Sequence, residues 1–209
     1  MSDPRPPARR PALDPATVAP DPLDQFRVWF DEAGRAGVPD PTAMALATAD
    51  AGGRPSVRMV LLKNAGAAGL TFFTNLLSRK GRELAANPRA ALLFHWAACG
   101  RQVRVEGAVV PVPAAESDAY FATRPIGARV GAIASPQSEP VPDRAFLEAR
   151  VRDVLRRHPH GAPPRPDHWG GLRLVPDAWE FWQEGEHRLH DRVRYLRAGD
   201  GWRIERLAP

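Results

Sequence analysis

The stretch FWQEGEHRLHDRVRY, Phe181 to Tyr195, crowds two Glu, two His, two Arg and an Asp into the nine positions Glu184–Arg192. In an extended chain side chains alternate between faces, so Arg188, His190 and Arg192 share one face while His187, Leu189 and Asp191 share the other. Two arginines and a titratable imidazole make a poor core face, because buried unpaired charge is costly. The face is either a solvated edge strand, whose charge blunts pairing with other chains, or a surface that meets an anion.

Other stretches pose the same choice. RMVLLK, Arg58 to Lys63, sets a cation at each end of an apolar run. An ideal strand puts these two on opposite faces, so they serve one site only through a bulge or through backbone contacts from the middle; otherwise this is a core strand with solvated ends. SRKGRELAANP places Ser78, Arg79 and Lys80 at a helix start. There the positive end of the helix dipole and two cations can cradle a phosphate, or simply cap a surface helix. In RQVRVEG, Gln102 offers both a donor and an acceptor to the edge of a heterocycle. In YFATRP, Tyr120 and Arg124 stand four apart on one helix face, where they can hold a phosphate, stack on a ring, or form an ordinary surface pair. SPQS, Ser135 to Ser138, is a polar loop, and Trp182 adjoins the charged stretch.

No Ser-His-Asp arrangement, HExxH spacing or carboxylate pair in an apolar setting is present, so acyl transfer, zinc hydrolysis and glycoside hydrolysis are not indicated. The chain has neither a GxGxxG nor a P-loop pattern, so side chains must do any phosphate binding. Separate Arg/Lys clusters accompanied by Trp, Tyr and Gln suit a protein that holds two phosphorylated, aromatic small molecules.

The elements that position these residues are readable in outline. DPLDQFRVWFDEAGRAG is a helix with Asp21 as N-cap, Pro22 at the first helical position and Leu23, Phe26, Trp29, Phe30 and Ala33 at helical spacing. Two strand-like runs flank the turn Asp50–Gly53 as a hairpin. LTFFT, AALLFHW and RQVRVEGAVVPV are further strands. SRKGRELAANP, AAESDAYFATRP and DRAFLEARVRDVLRRH are helices. PHGAPPRPDHWGG is a proline-rich connection, and LRLVP, AWEFWQ, RLHDRVRYLR and WRIERLAP return to strands. Seven or eight strands joined by tight turns, with helices as excursions, indicate an antiparallel sheet or barrel rather than a doubly wound fold.

The 209 residues, 44% hydrophobic and 25% charged, are enough for one sizeable domain with its own core. No apolar run approaches a membrane span and the N-terminus has no signal-like core, so the expected compartment is the cytoplasm, with no membrane partner. The lone Cys99 excludes an internal disulfide and offers no metal site. Net charge is +5, but the basic residues are scattered, and all except Lys63 and Lys80 are Arg. Arginine's planar fork suits small phosphorylated ligands as well as a polynucleotide.

Taken in order, RMVLLK, FFTNLLSRKGRELAANPRAALLFHW, RQVRVEG, YFATRP, SPQS and FWQEGEHRLHDR, ending in WRIERLAP, closely resemble the pyridoxamine 5'-phosphate oxidase family from about Asp21 to Pro209. The resemblance implies a mainly β fold with inserted helices, an FMN-binding split β-barrel over 21–209 preceded by a flexible arm at 1–20. It implies a homodimer with FMN at the subunit interface and no nucleic-acid partner. The implied reaction oxidises pyridoxamine or pyridoxine 5'-phosphate to pyridoxal 5'-phosphate by hydride transfer from the substrate 4' carbon to flavin N5, with O2 as acceptor and H2O2 as product. Carried over by position, the cofactor residues are Arg58, Met59, Val60, Leu61, Leu62, Lys63, Phe73, Thr74, Arg79, Lys80, Gln102, Gln137, Ser138, Trp182 and Arg192. The substrate residues are Lys63, Tyr120, Arg124, Ala128, Arg188, Leu189 and His190, with Arg188 and His190 catalytic; no metal is implied.

Three positions depart from the family. Ala128 stands where a hydroxyl is common, a lost hydrogen bond worth about 1 kcal/mol. Phe73 stands where Tyr is common. The segment RRPALDPATVAPDP does not match the Arg/Tyr-bearing segment that covers the substrate in some members. Competing readings are a related flavin oxidase of the phenazine-pathway type, a pyridoxal phosphate carrier, and a nucleic-acid binder.

Overall fold

The computed structural model describes residues 11–159 and 161–209. In chain order the elements are α1 (Pro22–Arg35), β1 (Ala43–Ala49), β2 (Pro55–Leu61), β3 (Asn64–Gly66), β4 (Gly69–Asn75), α2 (Arg79–Ala86), β5 (Arg89–Trp96), β6 (Arg101–Pro111), α3 (Ala114–Thr123), α4 (Ile126–Ala134), α5 (Arg144–Arg157), β7 (Trp169–Gln183), β8 (Asp191–Ala198) and β9 (Gly201–Arg206). Hydrogen-bonded neighbours follow the order β2-β1-β5-β6-β7-β4-β3, with β8 between β7 and β9. The pairs β1–β2, β1–β5, β3–β4, β4–β7, β7–β8 and β8–β9 are antiparallel. The fold is therefore mainly β with inserted helices, as expected. No helix among the described residues is long and apolar enough to cross a membrane.

The chain divides into two units, Thr42–Phe94 with Val105–Asp177, and the residues up to Pro41 with His95–Arg104 and Ala178–Pro209. In the first unit the β1–β2 hairpin turns on Asp50, whose carboxylate accepts from the backbone N–H of Gly52 and Arg54 at 2.9 and 3.0 Å. Alternation buries Met44, Leu46 and Thr48 of β1, and register sets Thr48 opposite Ser56 and Leu46 opposite Arg58. Helix α4 has no counterpart in the sequence reading, because Gly127, Gly131 and the preceding Pro125 mimic a loop. Pro125 is the N-cap, where a missing N–H costs nothing. Burial of Val130 and Ala134 against Val154 of α5 stabilises the helix, and Arg150 Nε caps its end by donating to the Ala134 carbonyl at 2.6 Å. LRLVP and AWEFWQ prove to be one strand, β7. Pro176 falls between the stretch paired with β4 and that paired with β8, so neither ladder needs its N–H.

In the second unit Asp21 caps α1 by accepting from Leu23 N–H at 2.7 Å, and Phe26, Trp29 and Ala33 are buried. Trp29 meets Phe181 edge-on at 5.2 Å and Phe26 lies 5.6 Å from Trp179. The described part of the N-terminal segment is tied down. Leu13 is buried and donates its N–H to Asp191 at 3.0 Å; Gln183 donates to the Pro11 carbonyl at 2.8 Å and Tyr195 to the Ala19 carbonyl at 2.8 Å. Residues 1–10 of the expected arm lie outside the described residues.

β6 and β7 approach so closely that a Cβ on Gly107 would lie 2.0 Å from the Val175 carbonyl oxygen. Backbone cannot move aside as a side chain can. Gly107→Ala should therefore cost about 1–3 kcal/mol, read as a lower urea midpoint at unchanged slope; a wild-type midpoint would mean the strands separate freely.

Candidate active site

The first unit contains a cavity of about 950 Å³, near the upper end for small-molecule sites. Five cations line it: Arg58, Lys63, Arg79, Lys80 and Arg124. Among the described lining residues none is acidic. Cations crowded without a counter-charge in the wall raise each other's electrostatic energy, and an anion relieves it.

Each cation is held by its own local structure. Lys80 is on the first turn of α2, whose N-cap is Ser78. The turn sits tight against the chain, since a Cβ on Gly81 would lie 2.1 Å from the Leu76 carbonyl oxygen. This leaves the Lys80 ammonium donating to Thr74 Oγ1 at 3.0 Å, Ser78 Oγ at 3.1 Å and Gln137 Oε1 at 3.1 Å. Burial, and after it the Arg58 charge, brings Lys80 down to about 8 despite the opposing pull of Glu83. Arg58 donates to the Leu46 carbonyl at 3.2 Å, to Thr48 Oγ1 at 2.5 Å and to Ser56. It also reaches Glu83 Oε2 at 3.2 Å, and Arg79 Nε donates to Glu83 Oε1 at 2.8 Å. Strand β2 ends at Leu61, so Lys63 lies beyond the strand rather than on its opposite face, and its N–H donates to the Thr71 carbonyl at 2.8 Å. That break lets Arg58 and Lys63 line one cavity.

The remaining wall is aromatic. Tyr120 stacks on Phe73 at 4.1 Å, and Phe73 is parallel to Trp169 at 5.3 Å. The Arg124 guanidinium sits 4.8 Å from the Trp169 ring and donates to the Ala128 carbonyl at 3.1 Å. Burial lowers the Arg124 pKa, a change that the Tyr120 charge opposes. Position 128 thus contributes its carbonyl, which no side chain alters.

The cavity gathers Arg58, Met59, Val60, Leu61, Lys63, Phe73, Thr74, Arg79, Lys80, Tyr120, Arg124, Ala128, Gln137 and Ser138 from the expected residues. Leu62 is not in its wall: it is buried, and its N–H donates to the Thr42 carbonyl at 2.9 Å. Trp169 and the buried Glu83 are additions that sequence reasoning missed. Trp169 was hidden in a proline-rich connection. Glu83 could be anticipated only from its spacing of four from Arg79.

Gln102, Trp182, Arg188, Leu189, His190 and Arg192 belong to the second unit. The shared face expected for Arg188, His190 and Arg192 does not form. Strand β7 stops at Gln183, Glu186–Arg188 make a turn of 3-10 helix, and β8 starts only at Asp191. His187 and Arg188 adopt left-handed backbone, with φ of 54° and 63°, which breaks the alternation. The His190 ring lies 4.6 Å from Trp182, and its Nδ1 accepts from Gly185 N–H at 3.3 Å, placing the proton of the neutral ring on Nε2. The buried Glu180 carboxylate accepts from Arg192 Nε at 2.8 Å, which holds that guanidinium above its ordinary pKa.

Residues 30–158 match the family described as pyridoxamine 5'-phosphate oxidase, and residues 169–209 match the pyridoxine 5'-phosphate oxidase C-terminal dimerisation region. The chain belongs to the pyridoxamine 5'-phosphate oxidase family. The pyridoxine/pyridoxamine 5'-phosphate oxidase of Cupriavidus taiwanensis is 60% identical over 199 residues, covering 95% of this chain and 93% of that one. That of Bordetella avium is 57% identical over 210 residues, covering 100% and 99%. Among solved structures, PhzG from Burkholderia lata 383 in complex with tetrahydrophenazine-1-carboxylic acid is 35% identical with a TM-score of 0.88, covering 93% of this chain and 96% of that one. A pyridoxamine 5'-phosphate oxidase-related, FMN binding protein of Nostoc punctiforme shares the fold at 16% identity and a TM-score of 0.72, covering 92% of this chain and 100% of that one. The fold is the split β-barrel of this oxidase family.

The lowered pKa of Lys80 predicts that anion binding in this cavity depends on pH. A phosphate dianion favours the charged ammonium, so its binding should take up protons near pH 8. Affinity for inorganic phosphate should fall above that pH, by up to about tenfold per unit. Calorimetry between pH 7 and 9.5 reads this directly, and a flat profile would contradict it. In the ligand-free protein the sign for folding is opposite. Unfolded lysine keeps its proton to its ordinary value of 10.5, so stability should rise from about 8 to 10.5.

Proposed function

We propose that the protein is an FMN-dependent, homodimeric oxidase that converts pyridoxamine and pyridoxine 5'-phosphate to pyridoxal 5'-phosphate with O2 as acceptor. The observation that carries this reading is that five cations line one cavity, which we assign to two sets: Arg58 with Arg79 and Lys80, and Lys63 with Arg124, to which Tyr120 adds a hydroxyl. Two phosphorylated aromatic ligands bound together account for both sets and for the rings of Phe73, Tyr120 and Trp169 in the same wall. The relatives at 57–60% identity that bear this enzyme's name support the same reading.

The donor set fits FMN. Arg58, Arg79 and Lys80 would neutralise its phosphate, and the Met59–Leu61 stretch, Phe73, Thr74, Gln137 and Ser138 would hold the rest. When bound, FMN supplies the hydride acceptor, which O2 regenerates with release of H2O2. Lys63, Tyr120 and Arg124 take the substrate phosphate, and Arg124 is aimed by the Ala128 carbonyl and the Trp169 face. Arg188 and His190 orient the pyridine ring, His190 donating from Nε2 because Nδ1 is occupied by Gly185. Gln102, Trp182 and Arg192 serve the flavin side. Match of residues 169–209 to a dimerisation region supports the homodimer. Hydride transfer depends more on aligned reacting atoms than on a strong base, which suits a site rich in positioning groups.

The absence of a hydroxyl at Ala128 and the likeness to PhzG favour a second reading, oxidation of a tetrahydrophenazine-type ring. Anaerobic addition of pyridoxine 5'-phosphate to the purified yellow protein should bleach the flavin absorbance, and O2 should restore it as pyridoxal 5'-phosphate forms. Bleaching by tetrahydrophenazine-1-carboxylic acid but not by either vitamin phosphate would establish the second reading instead. Arg188→Ala should lower kcat/KM for pyridoxine 5'-phosphate by about tenfold or more while FMN stays bound; loss of flavin with unchanged substrate affinity would assign Arg188 to the cofactor.

A further inference from the structure

The carboxylate nearest the cavity's cations is not in the cavity wall. Glu83, on α2 one turn after Arg79, is 5% exposed. Its Oε1 accepts from Arg79 Nε at 2.8 Å, and its Oε2 accepts from Ser56 Oγ at 2.6 Å, from Arg58 Nη2 at 3.2 Å and from Thr48. Thr48 and Ser56 face each other across the β1–β2 ladder, so the hairpin and the helix converge on one carboxylate. Burial alone would raise the Glu83 pKa, but the bonds from Ser56, Thr48, Arg79 and Arg58 outweigh it and bring the carboxyl down to about 2. The group is therefore fully ionised across the working range.

A negative charge behind an anion site is electrostatically unfavourable for the anion. Its presence there needs a compensating gain, and the geometry supplies one. Arginine side chains lose much rotamer freedom when a ligand fixes them. Arg58 and Arg79 already donate to the same carboxylate before any ligand arrives, which restricts the directions they sample. With Lys80 these groups leave a net charge of two, the complement of a phosphate monoester dianion.

We propose that Glu83 is a positioning residue for phosphate recognition: it aims the Arg58 and Arg79 guanidiniums into the cavity while making no contact with the ligand itself. The proposal rests on the reading above that these arginines meet the phosphate of FMN.

The test turns on the sign of an affinity change. If Glu83 were only a nearby negative charge, neutralising it would tighten anion binding. If it positions the arginines, neutralising it weakens binding. The full-length protein, stripped of flavin, is titrated with FMN and with riboflavin, which lacks the phosphate, by quenching of flavin fluorescence. In Glu83→Gln the dissociation constant for FMN should rise about tenfold or more, with that for riboflavin unchanged and the circular dichroism spectrum retained. FMN binding equal to or tighter than wild type, or equal weakening of FMN and riboflavin, would overturn the proposal. Glu83→Asp keeps the buried charge but withdraws it by one methylene; it should also weaken FMN selectively, and wild-type affinity there would overturn the proposal even if the Gln variant did not fold. A wild-type protein that binds FMN no better than riboflavin would instead remove the cofactor reading on which the proposal stands.

Discussion

Repulsion among five cations around one cavity is the constraint that the fold must satisfy before any ligand binds. At four of the five positions it is met locally, by different means. Glu83 ties Arg58 and Arg79 together, Trp169 and the Ala128 carbonyl hold Arg124, and Lys80 is set among hydroxyl and amide oxygens with its pKa lowered to about 8. The second unit repeats the device, with buried Glu180 accepting from both Arg192 and Arg104. In both units a buried carboxylate accepts from two arginines and so restricts the direction of each.

This arrangement makes the site and the fold interdependent. Thr48 comes from β1, Ser56 and Arg58 from β2, and Arg79 and Glu83 from α2. Glu83 is the carboxylate that Arg58 and Arg79 share, while solvent at these partly exposed guanidiniums limits what its removal costs. The backbone packing around α2, tight enough that Gly81 has no room for a Cβ, fixes where the pair can stand. Strand β2, ending at Leu61, brings Arg58 and Lys63 to one cavity although strand periodicity would separate them.

Much of this was legible in the sequence because local chemistry and tertiary role coincide. Asp21 and Pro22 announced α1, Ser78 announced α2, and Tyr120 and Arg124 at a spacing of four do line the cavity together. What was not legible depends on contacts remote in sequence. Helix α4 reads as a loop because Gly127 and Gly131 have low helix propensity, and its packing on Val154 of α5 overrides them. Glu83 reads as an ordinary helix-surface residue until the β1–β2 hairpin closes over it. The strand expected through Arg188 fails because His187 and Arg188 take positive φ, which periodicity does not reveal. The assignment of separate cofactor and substrate roles came from resemblance to a family, since residue types alone indicated only two phosphorylated, aromatic small molecules.

The central claim is that one cavity is charged for two phosphate groups at once. A phosphorus NMR spectrum of the flavin-loaded protein saturated with pyridoxal 5'-phosphate tests it most directly. The account predicts two bound resonances of equal intensity per chain, both at dianion positions and both insensitive to pH between about 6 and 7.5, within the range where Lys80 remains protonated. A single bound phosphate, with the other ligand's resonance remaining at its free position, would contradict it.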